Sequence, residues 1–177
     1  MKVSDTLTTV NELVLPNDTN PLGNLMGGRL LHWMDIAAAI SAQKLARNIC
    51  VTAAVNNVSF SQPIKLGNVV TLESKVVRTF HTSMEVHIQV WSQNFSTGTS
   101  YKCNEAYYTF VAISDIGRPL PVPEVEPETD EEKHLYAQAQ IRRQLKLLMA
   151  GKISLDKAPE LKATMHRWME EGNMQIP

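Results

Sequence analysis

At 177 residues the chain has room for one ordinary domain with an appendage, or for two very small ones. Hydrophobic residues make up 44% and charged residues 20%, with a net charge of -1, so nothing in the balance favours nucleic acid or an anionic membrane as a partner. The opening MKVSDTLTTVNEL lacks a signal-peptide apolar run, and no stretch approaches the ~18 continuous apolar residues of a membrane span, so a cytoplasmic protein is expected.

The first element is a strand over Thr6 to Leu15, stopped by the turn-forming run PNDTNP. A helix follows from about Met26 to Arg47. Its apolar residues point in nearly every direction around the wheel, which predicts a helix buried on all sides. Four strand-like runs come next: Val51 to Phe60, Val69 to Phe80, Met84 to Trp91 and Tyr101 to Ile113. In the third, Met84, Val86, Ile88 and Val90 alternate with Glu85, His87 and Gln89, so the two sets face opposite sides. Short connections between long consecutive strands call for antiparallel pairing. The fold class is therefore α+β, an antiparallel sheet of about five strands wrapped around one long helix, with a second copy expected to complete the cover.

The texture changes at DIGRPLPVPEVEPETDEEK. Residues 1–120 are expected to form the strand-and-helix domain. Residues 121–177 are expected to form a proline-rich linker and C-terminal helices that pack on the core or on a neighbouring subunit. Thr129 and Glu132 have the spacing of a capping box, and the acidic run Glu124 to Glu132 reads as solvated surface. Cys50 and Cys103 stand far apart without metal-ligand spacing and read as reduced, buried thiols.

The chemistry concentrates in NPLGNLMGGRLLHWMD, residues 20–35. GNLMGG is no phosphate loop, since no Lys-Ser/Thr follows it and no parallel βαβ unit surrounds it. Gly27 and Gly28 fall at a helix start, where unpaired N–H groups and the positive dipole end gather. Two readings stand: close packing of helix on sheet, or a donor site for a carbonyl oxygen that becomes an oxyanion. Asp35 lies two turns beyond Gly28 on nearly the same face and is the only acid between Asp18 and Glu73. Burying an unpaired carboxylate is costly, so Asp35 is either a structural carboxylate or a general base or nucleophile. The five histidines form no ligand pair at i, i+4, and no Ser elbow is present, so no metal site and no cofactor are expected. His32, three residues before Asp35, reads as structural.

PNDTNPLGNLMGGRLLHWMD, then VTAAVNNVSFSQPIKLGNVV, then TSMEVHIQVW resemble the hotdog-fold acyl-CoA thioesterases, the cytosolic branch with bacterial short- to medium-chain and mammalian long-chain members. The likeness runs from about residue 6 to 115 and continues into the proline-rich stretch. It implies hydrolysis of a fatty acyl-CoA to free acid and CoA without a metal, coenzyme A being substrate and product. The family's essential Asp matches Asp35, the Asn of its D-T-N turn matches Asn20, its strand-opening Thr matches Thr52, and its carbonyl-facing glycine matches Gly28. The resemblance also implies a homo-oligomer, a dimer in which Asn and Asp of one site come from opposite subunits, assembled as a trimer of dimers. Met26, Asn56 and Asn68 depart from the family's usual residues. Gly27, Asn57, Ser59, Thr82 and Ser83 are candidate substrate contacts, and Arg29, Arg78 and Lys102 are candidates for phosphate pairing, each also readable as an ordinary surface charge. A non-catalytic hotdog module that binds acyl-CoA is the alternative. A hotdog dehydratase is disfavoured because only His32 lies near the helix entrance.

Overall fold

A computed structural model of the protein describes residues 1–56, 58 and 60–171. Among them are five strands, β1 (Thr8–Leu13), β2 (Ile49–Asn56), β3 (Val69–Thr79), β4 (Ser83–Asn94) and β5 (Thr99–Ile113), and three α-helices, α1 (Gly27–Ala46), α2 (Asp130–Met149) and α3 (Pro159–Glu171). The expected elements are all present. The largest boundary shift is in β2, which starts before Val51 and stops at Asn56 instead of reaching Phe60. The strands form one antiparallel sheet in the order β1-β3-β4-β5-β2. Tight connections enforce that pairing; the β4–β5 turn contains Gly98 at φ 70°, a left-handed conformation that favours glycine.

The sheet curls about α1, as the α+β reading expects. Val70, Leu72 and Val76 of β3, Met84, Val86, Ile88 and Val90 of β4, and Ala106, Tyr108, Phe110 and Ala112 of β5 are buried with Leu30, Met34, Ala37, Ala38 and Leu45 of α1. Each large side chain here contributes about 1.5–3 kcal/mol by leaving water. Two small polar residues bring helix and sheet close: Ser41 Oγ lies 2.8 Å from Ser74 Oγ, which in turn donates to the Ala37 carbonyl at 2.8 Å. Both hydroxyls are satisfied, so their burial carries little penalty.

One expectation needs correction. The helix is not covered all round, because Ile36 and Ile40 remain about 40% exposed. One curled sheet covers only one side of a cylinder, and the rest of the apolar surface is left open in the single chain. The polar side of β4 is covered as well, with Glu85 and His87 buried. His87 Nε2 is 2.5 Å from Glu105 Oε1, and its ring stacks on Tyr107 with centroids 4.8 Å apart. Lys102 Nζ holds the other Glu105 oxygen at 2.5 Å. Burial pushes the His87 pKa down, only partly offset by Glu105. Burial pushes Glu105 up, but the hydrogen bonds from Lys102 and His87 outweigh it and hold its carboxyl below the usual range.

The chain divides into two compact units, Met1–Glu126 and Pro127 onward. The proline-rich stretch up to Glu126 belongs to the first. Leu120 N–H donates to the Ala112 carbonyl, Val122 N–H to the His81 carbonyl and Val125 N–H to Thr79 Oγ1, so it is a strap stitched along the sheet and not a free linker. In the second unit the expected capping box forms: Thr129 Oγ1 accepts from Glu132 N–H, and Glu132 accepts from the Thr129 N–H. Helices α2 and α3 pair through Ile141, Ala158 and Leu161, with Leu145, Leu148, Ile153 and Leu155 around them. None of the helices among the described residues is long and apolar enough to cross a membrane.

Candidate active site

The D-T-N turn is built by Asn20. Its Oδ1 accepts from Leu22 N–H at 3.0 Å and Asn24 N–H at 3.2 Å, while its own N–H donates to the Asn24 carbonyl at 2.8 Å. Gly23 takes φ 70° to close the loop. Two backbone donors on Oδ1 fix the amide orientation and leave Nδ2 as the free donor among the described residues. The turn is tied to the segment before β3 by Leu25 N–H to Ile64 and Leu66 N–H to Gly23.

Helix α1 begins directly after this turn. Met26 supplies no side-chain cap and the first turn holds no acid. Arg29 and Leu30 N–H both reach the Met26 carbonyl, so the Gly27 and Gly28 N–H groups are the ones without an acceptor among the described residues. They stand at the positive end of the helix dipole. A Cβ built on Gly27 would lie 3.1 Å from the Phe60 ring, whereas one on Gly28 would meet nothing within 4 Å. Close packing inside the chain therefore accounts for Gly27 and not for Gly28.

Asn20 and Gly27 share a pocket of about 390 Å³ with Asn24, Leu25, Leu30, Phe60, Gln62, Ile64 and Cys103. Sequence reasoning missed Asn24, Phe60 and Gln62. Asn24 sits in the turn already flagged, and its Oδ1 is buried with no hydrogen-bond partner among the described residues. Cys103 was expected only as a buried thiol. It forms part of the pocket wall, with burial pushing its pKa up to about 11. Cys50 is likewise a buried free thiol, pushed up to about 11 by burial.

Asp35 lies elsewhere on the same helix. Thr52 Oγ1 donates to Asp35 Oδ1 at 2.6 Å, and Oδ2 has no partner among the described residues. Thr52 keeps the regular register of β2, on the same face as the buried Cys50 two residues earlier and opposite Phe110; a β-bulge follows it, Ala54 pairing with Thr109 so that Ala53 is the extra residue. Sequence gave no sign of the bulge.

Two half-sites result. Seven helical residues separate Gly28 from Asp35, a rise of about 10 Å, so both cannot contact one small carbonyl group within a chain. Along β5, Phe110 beside the Asp35 pair and Cys103 in the pocket are seven residues, about 23 Å, apart.

The other candidates are scattered. Thr82 and Ser83 lie at the β3–β4 turn, where Ser83 pairs with Val111. That is eight β5 residues, about 27 Å, from Cys103, so this chain does not bring them to the pocket. Asn57 and Ser59 lie outside the described residues. Arg29 Nε is held 2.8 Å from the buried Asp18 carboxylate, Lys102 is paired with Glu105, and Arg78 sits over the Phe80 ring with Cζ 5.7 Å from its centroid. None of the three is a loose surface charge waiting for phosphate. His32 is exposed. Among the described residues no group of three His, Cys, Asp or Glu is placed to hold a metal ion.

Comparison with known proteins adds the following. The profile of the Thioesterase superfamily matches residues 22–97. Mouse acyl-coenzyme A thioesterase 11 is 38% identical over 144 residues, which is 81% of this chain but only 24% of the mouse protein. An apo-hexameric acyl-CoA thioesterase superposes with a TM-score of 0.82 at 41% identity, covering 85% of this chain and 96% of that one. The Staphylococcus aureus acyl-CoA hydrolase, solved with butyryl coenzyme A, coenzyme A and coenzyme A disulfide, superposes with a TM-score of 0.77 at 33% identity, covering 92% and 98%. That enzyme has also been solved with an aspartate, a threonine or an asparagine replaced by alanine.

Proposed function

Since the chain belongs to the thioesterase superfamily, we propose that it hydrolyses the thioester of fatty acyl-CoA to free acid and CoA, using Asp35 as general base. The observation that carries the reading is the 2.6 Å bond from Thr52 to Asp35 Oδ1, which fixes the carboxylate and leaves Oδ2 to take a proton. Water attacks the thioester carbonyl as Asp35 removes its proton. The oxyanion forms against the uncapped N-terminus of α1, where Gly28 N–H offers a donor and Asn20 Nδ2 a second. Collapse breaks the C–S bond, and the proton returned from Asp35 neutralises the CoA thiolate. A thiolate leaves readily, so no stronger acid is required.

The two half-sites support a composite centre, with Asp35 and Thr52 from one copy and the helix entrance and Asn20 from another. The surface for such a pairing is available: β2 is a sheet edge with Ile49, Val51 and Val55 exposed on it, and Ile36 and Ile40 are exposed on α1. A homodimer with two shared sites, assembled as a hexamer like its apo-hexameric neighbour, and residence in the cytoplasm belong to the same proposal. The non-catalytic binding module is disfavoured, because a binder has no use for a fixed carboxylate with one free oxygen.

The test is release of free thiol from a panel of short-, medium- and long-chain acyl-CoAs, with Asp35→Asn alongside. Turnover by the wild type and loss of at least about a hundredfold in Asp35→Asn are expected. Silence across the panel defeats the hydrolase reading; full activity in Asp35→Asn defeats the mechanism.

A further inference from the structure

Arg29 stands where helix physics does not favour it. It lies in the first turn of α1, at the positive end of the helix dipole, and no acid of that turn offsets its charge. The offset comes from outside the helix. Arg29 Nε lies 2.8 Å from Oδ1 of Asp18, a residue only 5% exposed. In so sheltered a pair the loss of water around the charges cancels much of their attraction, so stability alone is a weak reason to keep it. What such a pair does supply is a fixed geometry.

Asp18 is fastened on three sides. Its Oδ2 accepts from Leu15 N–H at 3.0 Å, its carbonyl accepts from Met26 N–H at 2.9 Å, and its Oδ1 faces Arg29. The residues between the two partners, 19–28, carry both groups assigned to the oxyanion: Asn20 comes two residues after Asp18, and Gly28 immediately precedes Arg29. Asn20 is fixed within its own turn by Leu22 and Asn24, but those bonds do not set the turn against the helix. The contacts of Asp18 do so, because they join the base of the turn to Met26 at the N-cap and to Arg29 in the first turn of α1.

Resting on the hydrolase reading, we propose that Asp18 and Arg29 are a positioning pair for the reaction, holding the Asn20 amide and the Gly28 N–H at the separation that lets both meet one carbonyl oxygen. Neither side chain of the pair touches substrate, and neither changes protonation state. Without the pair the turn drifts from the helix entrance, and a displacement of about 1 Å in such a site costs up to a hundredfold in rate. Thr52 then orients the base, and the Asp18–Arg29 pair aligns the donors that face it across the composite centre.

Replacing both partners together, Asp18→Asn with Arg29→Met, strands neither charge and keeps an oxygen at position 18 for Leu15 N–H. Thiol release is measured on the acyl-CoA that the wild type turns over fastest, for wild type, this double variant, Asn20→Asp, and all three changes combined, with Tm at equal protein concentration. The double variant is expected to show a kcat lower by about tenfold to a hundredfold, an unchanged KM and a Tm within about 4 °C of wild type. In the Asn20→Asp background the same two changes should lower kcat by less than about threefold, because the donor they position is already gone. A pair that only supports the fold costs the same factor in both backgrounds, and that outcome overturns the proposal. So do an unchanged kcat, a rise in KM alone, which makes Arg29 a contact for CoA, and a collapse of Tm, which makes the pair a support of the fold. If the wild type itself releases no thiol, the hydrolase reading fails and this inference with it; an active wild type matched by the double variant removes the inference alone.

Discussion

Replacing Gly28 by alanine pits the two readings of the glycine pair against each other. A Cβ at this position meets nothing within 4 Å, and the residue is exposed in the first turn of α1. If packing were the reason for glycine, a methyl group would clash; here it has room. Alanine in a helix is favoured over glycine by roughly 0.5–1 kcal/mol, and 1 kcal/mol shifts Tm by about 2–4 °C in a chain of this size. Gly28→Ala should therefore raise Tm by about 1–4 °C. The same methyl would stand where a carbonyl oxygen must approach the N–H to about 3 Å, and losing one such donor costs roughly a hundredfold or more in kcat. Thermal unfolding and thiol release on one preparation test both halves, at matched concentration because association shifts Tm. Undiminished turnover would refute the donor role. A lower Tm would place packing atoms against position 28 and return the glycine to a structural one.

Asn20→Asp keeps the oxygen that accepts from Leu22 and Asn24 but removes the Nδ2 donor, so thiol release should fall at least tenfold while Tm changes by less than about 2 °C; Asn20→Ala loses both and should lower Tm as well, by about 1 kcal/mol of stability. Acid should weaken the fold through the His87–Glu105 pair. His87 is held neutral by burial, so the unfolded chain binds more protons below pH 6.5 and stability falls as pH drops from there; Glu105, with its pKa held down, adds a second loss below about pH 4.5. Tm between pH 7.5 and 5 should decline in the wild type and flatten in His87→Gln.

How much of this was readable in the residues depends on range. Strand alternation, the turn chemistry of PNDTNP and the Thr129–Glu132 box are local signals, and they placed the elements and the helix cap correctly. Asp35 stood out because a lone carboxylate on an apolar helix is costly. The burial of Glu85 and His87 was not legible, since a polar face of a strand looks the same whether water or other side chains cover it. The bulge at Ala53 was also invisible: it is defined by the mismatch between β2 and β5, and no single strand shows it. Nor could spacing reveal that the Asp35–Thr52 pair and the Asn20 pocket stand apart. Same-face periodicity suggested proximity, while helical rise set the distance. Arg29 was read as a loose cation because Asp18, eleven residues earlier, gave no hint of folding back onto it.

The strap along the sheet also closes a loop in the chain path. Val3 N–H donates to the Glu126 carbonyl at 3.1 Å, and Glu126 N–H donates to the Met1 carbonyl at 2.8 Å, so the first unit starts and finishes at the same spot. A unit with adjoining ends can be spliced into a longer polypeptide as a cassette, with connections on both sides and no stretching of its sheet. The natural cut for such a cassette is after Glu126; ending it at residue 120 would discard the residues that latch its two ends together.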